Sequence, residues 1–282
     1  MNRLWQIGRW GVVGLVVFLV IRVATDIMLG PPGAHNMPFQ AWYGNWRAVG
    51  VATAIFLAFL LGFARPQRRG EWRQAGLYSA FLISLFTEMF GIPLTLYLVA
   101  PALGLSPQTF GMNESHLWAF ALDRLGLVPL QTGVYLVMLV SVVLIVTGMV
   151  LIALGWATVY RGRPQLVTSG LYRSVRHPQY LGLILIVLGF NVMWPTVLTV
   201  LMAPVLIAMY VRLARREDED LAVRFGEAFL DYAARTPALI PWPRRGPTGR
   251  ARLDRAAALI PDAEGSIDRR PAGRIQSTDE AG

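Results

Sequence analysis

The chain has 282 residues, 55% of them hydrophobic and only 15% charged, against about 25% charged in an ordinary soluble domain. It holds no cysteine, which excludes disulfides and thiolate metal sites. Its net charge of +9 rests on arginine, since none of the 26 basic residues is lysine; with no aromatic-interleaved basic motif, that excess points to a membrane surface rather than to nucleic acid.

The first apolar segment runs from about Trp10 to Leu29. It is too long for a cleaved leader, and Arg22 and Asp26 stand four residues apart, where they can pair on one helix face. The turn formers of "GPPGAHNMP" follow, then a second segment from about Ala48 to Ala64 and the short basic loop "RPQRRGEWR". A third segment, about Ala75 to Ala100, is interrupted by Glu88 and Pro93. A longer, mostly uncharged loop reaches Leu130, and a fourth segment covers about Gln131 to Thr158.

From Leu125 to Tyr160, and again from Pro178 to Val211, there is no Asp, Glu, Arg or His. Uncharged apolar runs of about 18 residues or more read as transmembrane helices. The second run would make one helix of about 51 Å, too long for a hydrocarbon core of about 30 Å. Pro195 in "FNVMWPT" supplies a break, so the run is predicted to be a hairpin of two short helices. This makes six segments. Thirteen arginines then fall on one side, in the N-terminus, the 65–73 loop, the 161–177 loop and at 212–216, while Arg47 and Arg124 fall on the other. The asymmetry places both termini in the cytoplasm.

After the membrane part, "RREDEDLAVRFGEAFLDYAARTPALIP" reads as a cytoplasmic helix, with Leu221, Phe225, Phe229 and Tyr232 at helical spacing and Pro237 and Pro241 ending it. From about Arg244 the composition is that of a disordered tail. The predicted class is all-α, a multi-pass transmembrane helix bundle. It has an N-terminal transmembrane region over 1–130, a membrane core over 131–241 and an Arg-rich cytoplasmic tail over 242–282.

A hairpin returns the chain to the side it left. It brings "GLYRSVRHPQY" and "RREDED" to one membrane boundary, with Arg173, Arg176 and His177 from one end and Glu217, Asp218, Glu219 and Asp220 from the other. Such a cluster suits a zwitterionic ligand, because arginine grips a carboxylate and a carboxylate takes an ammonium. Tyr172 and Tyr180 offer ring faces for a cation or an adenine. Plainer roles are also open: flank charges for the arginines, a helix cap for His177 before Pro178, a solvated helix start for the acids. Glu88 is an acid inside an apolar segment, where function is the default reading, although pairing near a helix end would also explain it. His35 and His116 read as loop residues without metal partners.

The run from Gly170 to Gly182, "GLYRSVRHPQYLG", then a hairpin, then "EDEDLAVRFG" from Glu217 and the proline at 241, resembles the isoprenylcysteine carboxyl methyltransferase family, to which phospholipid methyltransferases are related. The resemblance covers roughly Gln131 to Pro241. It implies a helical membrane enzyme that binds S-adenosylmethionine at the cytoplasmic face through Arg176, His177, Tyr180, Gly182, Glu217 and Asp218, with Tyr232 and Arg235 at weaker positions; the ring face of Tyr172 joins the candidate cofactor site on its own chemistry. The family's second acid is usually glutamate. The shorter Asp218 here leaves that role to Asp218 or to Glu219.

The resemblance thus implies methyl transfer in a bacterial inner membrane, and its matching residues are silent about the acceptor; the third segment, whose "FTEMFGIPL" has Thr87 and Glu88 as its only strong polar groups, suits a small or lipophilic one. A thiol is favoured, because it needs no strong base, and a lipid amine or carboxylate comes next. Glu217, Arg176 and Glu88 are the candidate catalytic groups. Two other classes are a sterol- or enone-type reductase using NADPH and a non-enzymatic membrane component. The reductases usually carry asparagine and an acid where this chain has Gln179 and Leu183.

Overall fold

The computed structural model describes residues 10–22, 37–63, 69–162 and 165–240. All regular structure among them is helical: α1 (Trp10–Arg22), α2 (Phe39–Trp42), α3 (Trp46–Phe63), α4 (Arg69–Phe86), α5 (Leu94–Ala102), α6 (Leu117–Arg124), α7 (Leu130–Gly162), α8 (Pro178–Met193), α9 (Val197–Phe225) and α10 (Glu227–Arg235). A π-helical turn, Thr87–Gly91, joins α4 to α5. The end of the first expected segment, to Leu29, and the tail after residue 240 lie outside the described residues.

By length and composition α7 and α9 can cross a membrane, and a third span results if the pair Ala75–Gly91 and Leu94–Ala102, bent by 64°, counts as one. The bend falls where Glu88 and Pro93 interrupt the apolar run. Pro93 has no N–H to continue the ladder, and the π turn before it widens the helix. Side chains on the outer faces of α7 and α9 are apolar and exposed, among them Leu139, Val143, Leu201 and Val205. Lipid tails satisfy such a surface as well as a protein core does. The loop expected up to Leu130 contains α6, a short helix that the reading by apolar runs missed.

The break after α8 is where Pro195 places it. Thr196 and Thr199 form a reciprocal capping box that starts α9. The far end of α9 differs from expectation. No separate helix begins at the acidic cluster; α9 continues through "RREDED" to Phe225. Arg, Glu, Asp, Leu and Ala carry no stop signal. The helix ends at Gly226, whose φ of 51° is open to glycine at little cost.

α7 and α8 are joined by close backbone approach. A Cβ built on Gly148 would sit 2.5 Å from the Gly182 carbonyl oxygen, and one on Gly182 would sit 2.5 Å from that of Gly148. Gly189 faces Ile145 and the Ser141 carbonyl in the same way. Small residues at such a crossing let two helices touch along their main chains, which is how helices associate where lipid removes the hydrophobic drive. Phe81 and Leu85 of α4, Met149 of α7, Ile186 of α8 and Leu206 of α9 complete one buried apolar cluster.

Candidate active site

The hairpin carries the two polar motifs to one end of the bundle. His177 lies just before Pro178, the first residue of α8, and Asp218 lies near the C-terminal end of α9. Between them stands a bonded cluster. Arg176 grips Asp218 with both arms of its fork, Nε to Oδ1 at 3.1 Å and Nη2 to Oδ2 at 2.6 Å. His177 Nε2 meets the same Oδ1 at 2.8 Å. Arg176 Nη1 also donates to the carbonyls of Ala233 and Thr236, at 2.9 and 2.6 Å, where α10 ends. Four of the five N–H donors of a guanidinium are thereby engaged.

The main chain follows the side chains. The amides of Arg176 and His177 donate to the carbonyls of Pro237 and Ala238. Residues 233–238 thus wrap the cluster and exclude water from it: Arg176 and His177 are 6% and 1% exposed. An arginine and a histidine buried this deeply require anionic partners, and Asp218 supplies one carboxylate to both.

The other histidine nitrogen is less well served. His177 Nδ1 lies 3.4 Å from Glu217 Oε2, an ionic contact rather than a formed hydrogen bond. Both atoms are buried, and neither has a hydrogen-bond partner among the described residues. Burial on its own would lower the pKa of His177. The carboxylates of Asp218 and Glu217 outweigh it and hold the pKa above the ordinary value, which favours the imidazolium form between the two acids.

The tyrosines divide into two kinds. Tyr172 is buried, and its hydroxyl lies 3.0 Å from Gln179 Oε1 and 3.3 Å from the Gly155 carbonyl of α7; burial raises its pKa. Tyr232 donates to the Tyr172 carbonyl at 2.6 Å, and burial pushes its pKa up to about 12. These two lock α7, α8 and α10 together. Tyr180 instead turns its ring to the cluster, stacked on His177 at 5.6 Å and 29°. Gly182 lies at the α7 crossing. Arg235 is exposed and donates to the Asp231 carbonyl. Arg173, Glu219 and Asp220 are exposed, so it is Asp218 and not Glu219 that contacts Arg176 and His177.

Glu88 stands apart. Its Oε2 accepts from the Thr95 amide in the first turn of α5, and Thr95 Oγ1 accepts from the Val197 amide at the start of α9. Val197 and Asp218 are 21 residues apart in one helix, about 32 Å. Glu88 therefore caps helix starts at the opposite end of the bundle, where an acid meets the positive end of a helix dipole. His116 is at that end as well, buried, its ring centre 5.0 Å from that of Trp194 in an edge-to-face arrangement. Burial lowers its pKa to about 4 and keeps it neutral.

Reading by motif missed Gln179, which receives Tyr172, and the carbonyls of Pro237 and Ala238. Main-chain acceptors leave no signature in side-chain patterns. Among the described residues no group of three His, Asp or Glu side chains is placed to hold a metal ion.

The family model for phospholipid methyltransferases matches residues 125–228. Over 111 residues the chain is 38% identical to the cobalt-zinc-cadmium resistance protein CzcN of Cupriavidus metallidurans, covering 36% of this chain and 51% of that protein. It is 33% identical over 111 residues to the nickel-cobalt-cadmium resistance protein NccN of Alcaligenes xylosoxydans xylosoxydans, covering 36% of this chain and 52% of that one. The chain thus spans about half the length of the curated relatives it matches. No solved structure matches it. The matched stretch holds Tyr172, Arg176, His177, Tyr180, Glu217 and Asp218, so most of the candidate site lies in the part of the chain that matches the phospholipid methyltransferase family model.

Proposed function

We propose that the protein is an integral-membrane methyltransferase that uses S-adenosylmethionine, bound at the His177–Asp218 end of the bundle, to methylate a small or lipophilic acceptor. The observation that carries this reading is the adjacent pair His177 Nδ1 and Glu217 Oε2, two buried polar atoms without hydrogen bonds inside the matched domain. Buried polar atoms seldom go unpaired in a finished site.

The residues fit the cofactor's chemistry. Glu217, half-exposed with an unpartnered oxygen, takes an ammonium. The imidazolium of His177 and the one remaining N–H of Arg176 suit a carboxylate. The ring of Tyr180 offers a face to a cation or an adenine. Asp218 holds Arg176 and His177 in register. When bound, S-adenosylmethionine supplies a methyl group activated on sulfur. The chain's own part is orientation, which contributes up to several kcal/mol in such reactions. With Asp218 committed to two cations and Glu217 to the ammonium, no carboxylate of the cluster is left to act as a general base in this reading. That favours a thiol acceptor, with a lipid amine or carboxylate next; nucleic acid is no partner in this reading.

The remaining topology belongs to the same proposal: six crossings of a bacterial inner membrane, with both termini and the cluster on the cytoplasmic side. Purified protein incubated with methyl-labelled S-adenosylmethionine and a panel of alkyl thiols, lipid amines and prenyl carboxylates tests the reading. Label in any organic product supports methyl transfer, and label in none of them contradicts it.

A further inference from the structure

The short helix α5 starts where three longer helices begin or end. Thr95 Oγ1, in its first turn, accepts from the amide of Val197, the first residue of α9. The amides of Gly44 and Asn45, just before α3, donate to the carbonyls of Gly91 and Phe90, where the π turn after α4 ends. From Arg69 to Gly91 the chain rises about 33 Å, enough for a hydrocarbon core of about 30 Å without help from α5. α5 then departs at 64° from the helix before it. Its nine residues make about 14 Å of helix, which climbs only about 6 Å along the α4 axis. α5 therefore runs sideways at the end of the bundle opposite the His177–Asp218 cluster.

α5 carries no charged residue. One of its faces packs inward, with Leu96 and Ala100 in a buried cluster with Phe39, Phe110 and Phe120. The other exposes Leu94, Tyr97 and Leu98, at 55%, 47% and 65%. A surface helix in water keeps its outward face polar. We propose that α5 lies nearly flat in the interface of the membrane leaflet at this end of the bundle, with Leu94 and Leu98 among the acyl chains and Tyr97 at headgroup level. The exposed face continues the lipid-facing surface of α9, whose exposed Val197 and Leu198 adjoin the bond to Thr95. Trp46, which opens α3, and Trp118, bonded to the Asn191 carbonyl near the end of α8, are each more than half exposed at the same end. Exposed Trp and Tyr rings gather at membrane–water interfaces, and apolar helix faces lie in that plane. A second copy of the chain is a poor occupant: a helix face of about 14 Å by about 10 Å offers about 140 Å², against about 800 Å² per partner in a standard interface. With no charge on α5, anionic headgroups are not needed to hold it. Glu88 and Thr95 become the buried clasp that sets the angle at which α5 departs. The inference stands whether or not the cluster at the other end binds a cofactor.

The chain has no cysteine, so single labels can be placed in the full-length protein. Leu94→Cys and Leu98→Cys, each carrying a nitroxide, report on α5; two positions are read so that one variant that fails to fold does not decide the outcome. Gln108→Cys, exposed in the segment after α5, is the water reference. Val205→Cys, exposed on α9 about 12 Å along the helix from Val197, is the acyl-chain reference. Each is reconstituted in vesicles of phosphatidylcholine, with and without phosphatidylglycerol. Power saturation then compares access to oxygen, which concentrates among acyl chains, with access to a water-soluble nickel chelate. The ratio of oxygen to nickel access should rise from Gln108 to the two α5 positions and again to Val205, and should be the same in both lipid mixtures. A ratio on α5 as low as at Gln108 puts the face in water and overturns the proposal. A ratio as high as at Val205 makes α5 part of a deep span and overturns it too. So does spin–spin broadening at Leu98 that dilution with unlabelled protein removes, which would put a second copy there, or a ratio that rises only when phosphatidylglycerol is present.

Discussion

Asp218 is the residue on which the cluster turns. It is the common partner of two buried cations, so Asp218→Asn leaves a guanidinium and an imidazolium without their anion. Breaking a buried pair in this way costs about 3–5 kcal/mol, and the variant's thermal unfolding should come earlier by the corresponding margin; an unchanged Tm would remove Asp218 from its structural role. His177 gives the cluster a pH dependence. Its folded pKa is raised above an unfolded value of about 6.5. Protonation therefore stabilises the fold fully below about 6.5, and that contribution is lost as pH rises through the raised value. A Tm series from acid to alkaline buffer should show a decline on the alkaline side that His177→Gln lacks. At this scale the sequence was partly legible. Arg176, His177 and Asp218 carry charge where apolar runs end, and their types announce a site. That Arg176 directs its fork at Asp218 was not legible, because it depends on how far α9 continues.

Among the elements, the α7–α8 crossing is the firmest joint. Gly148→Ala or Gly182→Ala puts a methyl 2.5 Å from a carbonyl oxygen on the facing helix, closer than carbon and oxygen can approach. The helices must part, at a cost of about 1–3 kcal/mol or more. Gly50→Ala, with nothing within 4 Å of the new methyl, serves as control and should not lower Tm. Equal Tm values for all three variants would contradict the crossing. The hairpin was legible because Pro195 interrupts a run too long for one span. The long α9 was not: the acidic cluster looks like a boundary in composition, yet only Gly226 has the backbone freedom to make one. α6 was missed for the opposite reason, since an eight-residue helix is too short to show as an apolar run.

For the whole molecule, the two polar regions lie at opposite ends of the bundle. Ser106, in the loop after α5, and Ser169, just before the Arg176 motif, should be separated by the membrane. Cysteine placed at Ser106 should react with an impermeant reagent in intact cells, and cysteine at Ser169 only after permeabilisation. Reaction at Ser169 in intact cells would reverse the orientation that the arginine asymmetry implies. The architecture was legible as all-helical from the long uncharged apolar runs, while the separation of Glu88 from the cluster needed the packed bundle. An intramembrane acid invites a catalytic reading, and here it caps α5, with Thr95 carrying the contact on to α9.

The most direct measurement is calorimetric titration of the purified full-length protein with S-adenosylmethionine, comparing wild type with His177→Ala and Glu217→Gln. Wild type should bind. Each variant should lose about 1.5–3 kcal/mol of binding free energy, the range for hydrogen bonds to charged groups. No binding by wild type, or wild-type affinity in both variants, would contradict the assignment of this cluster as the cofactor site.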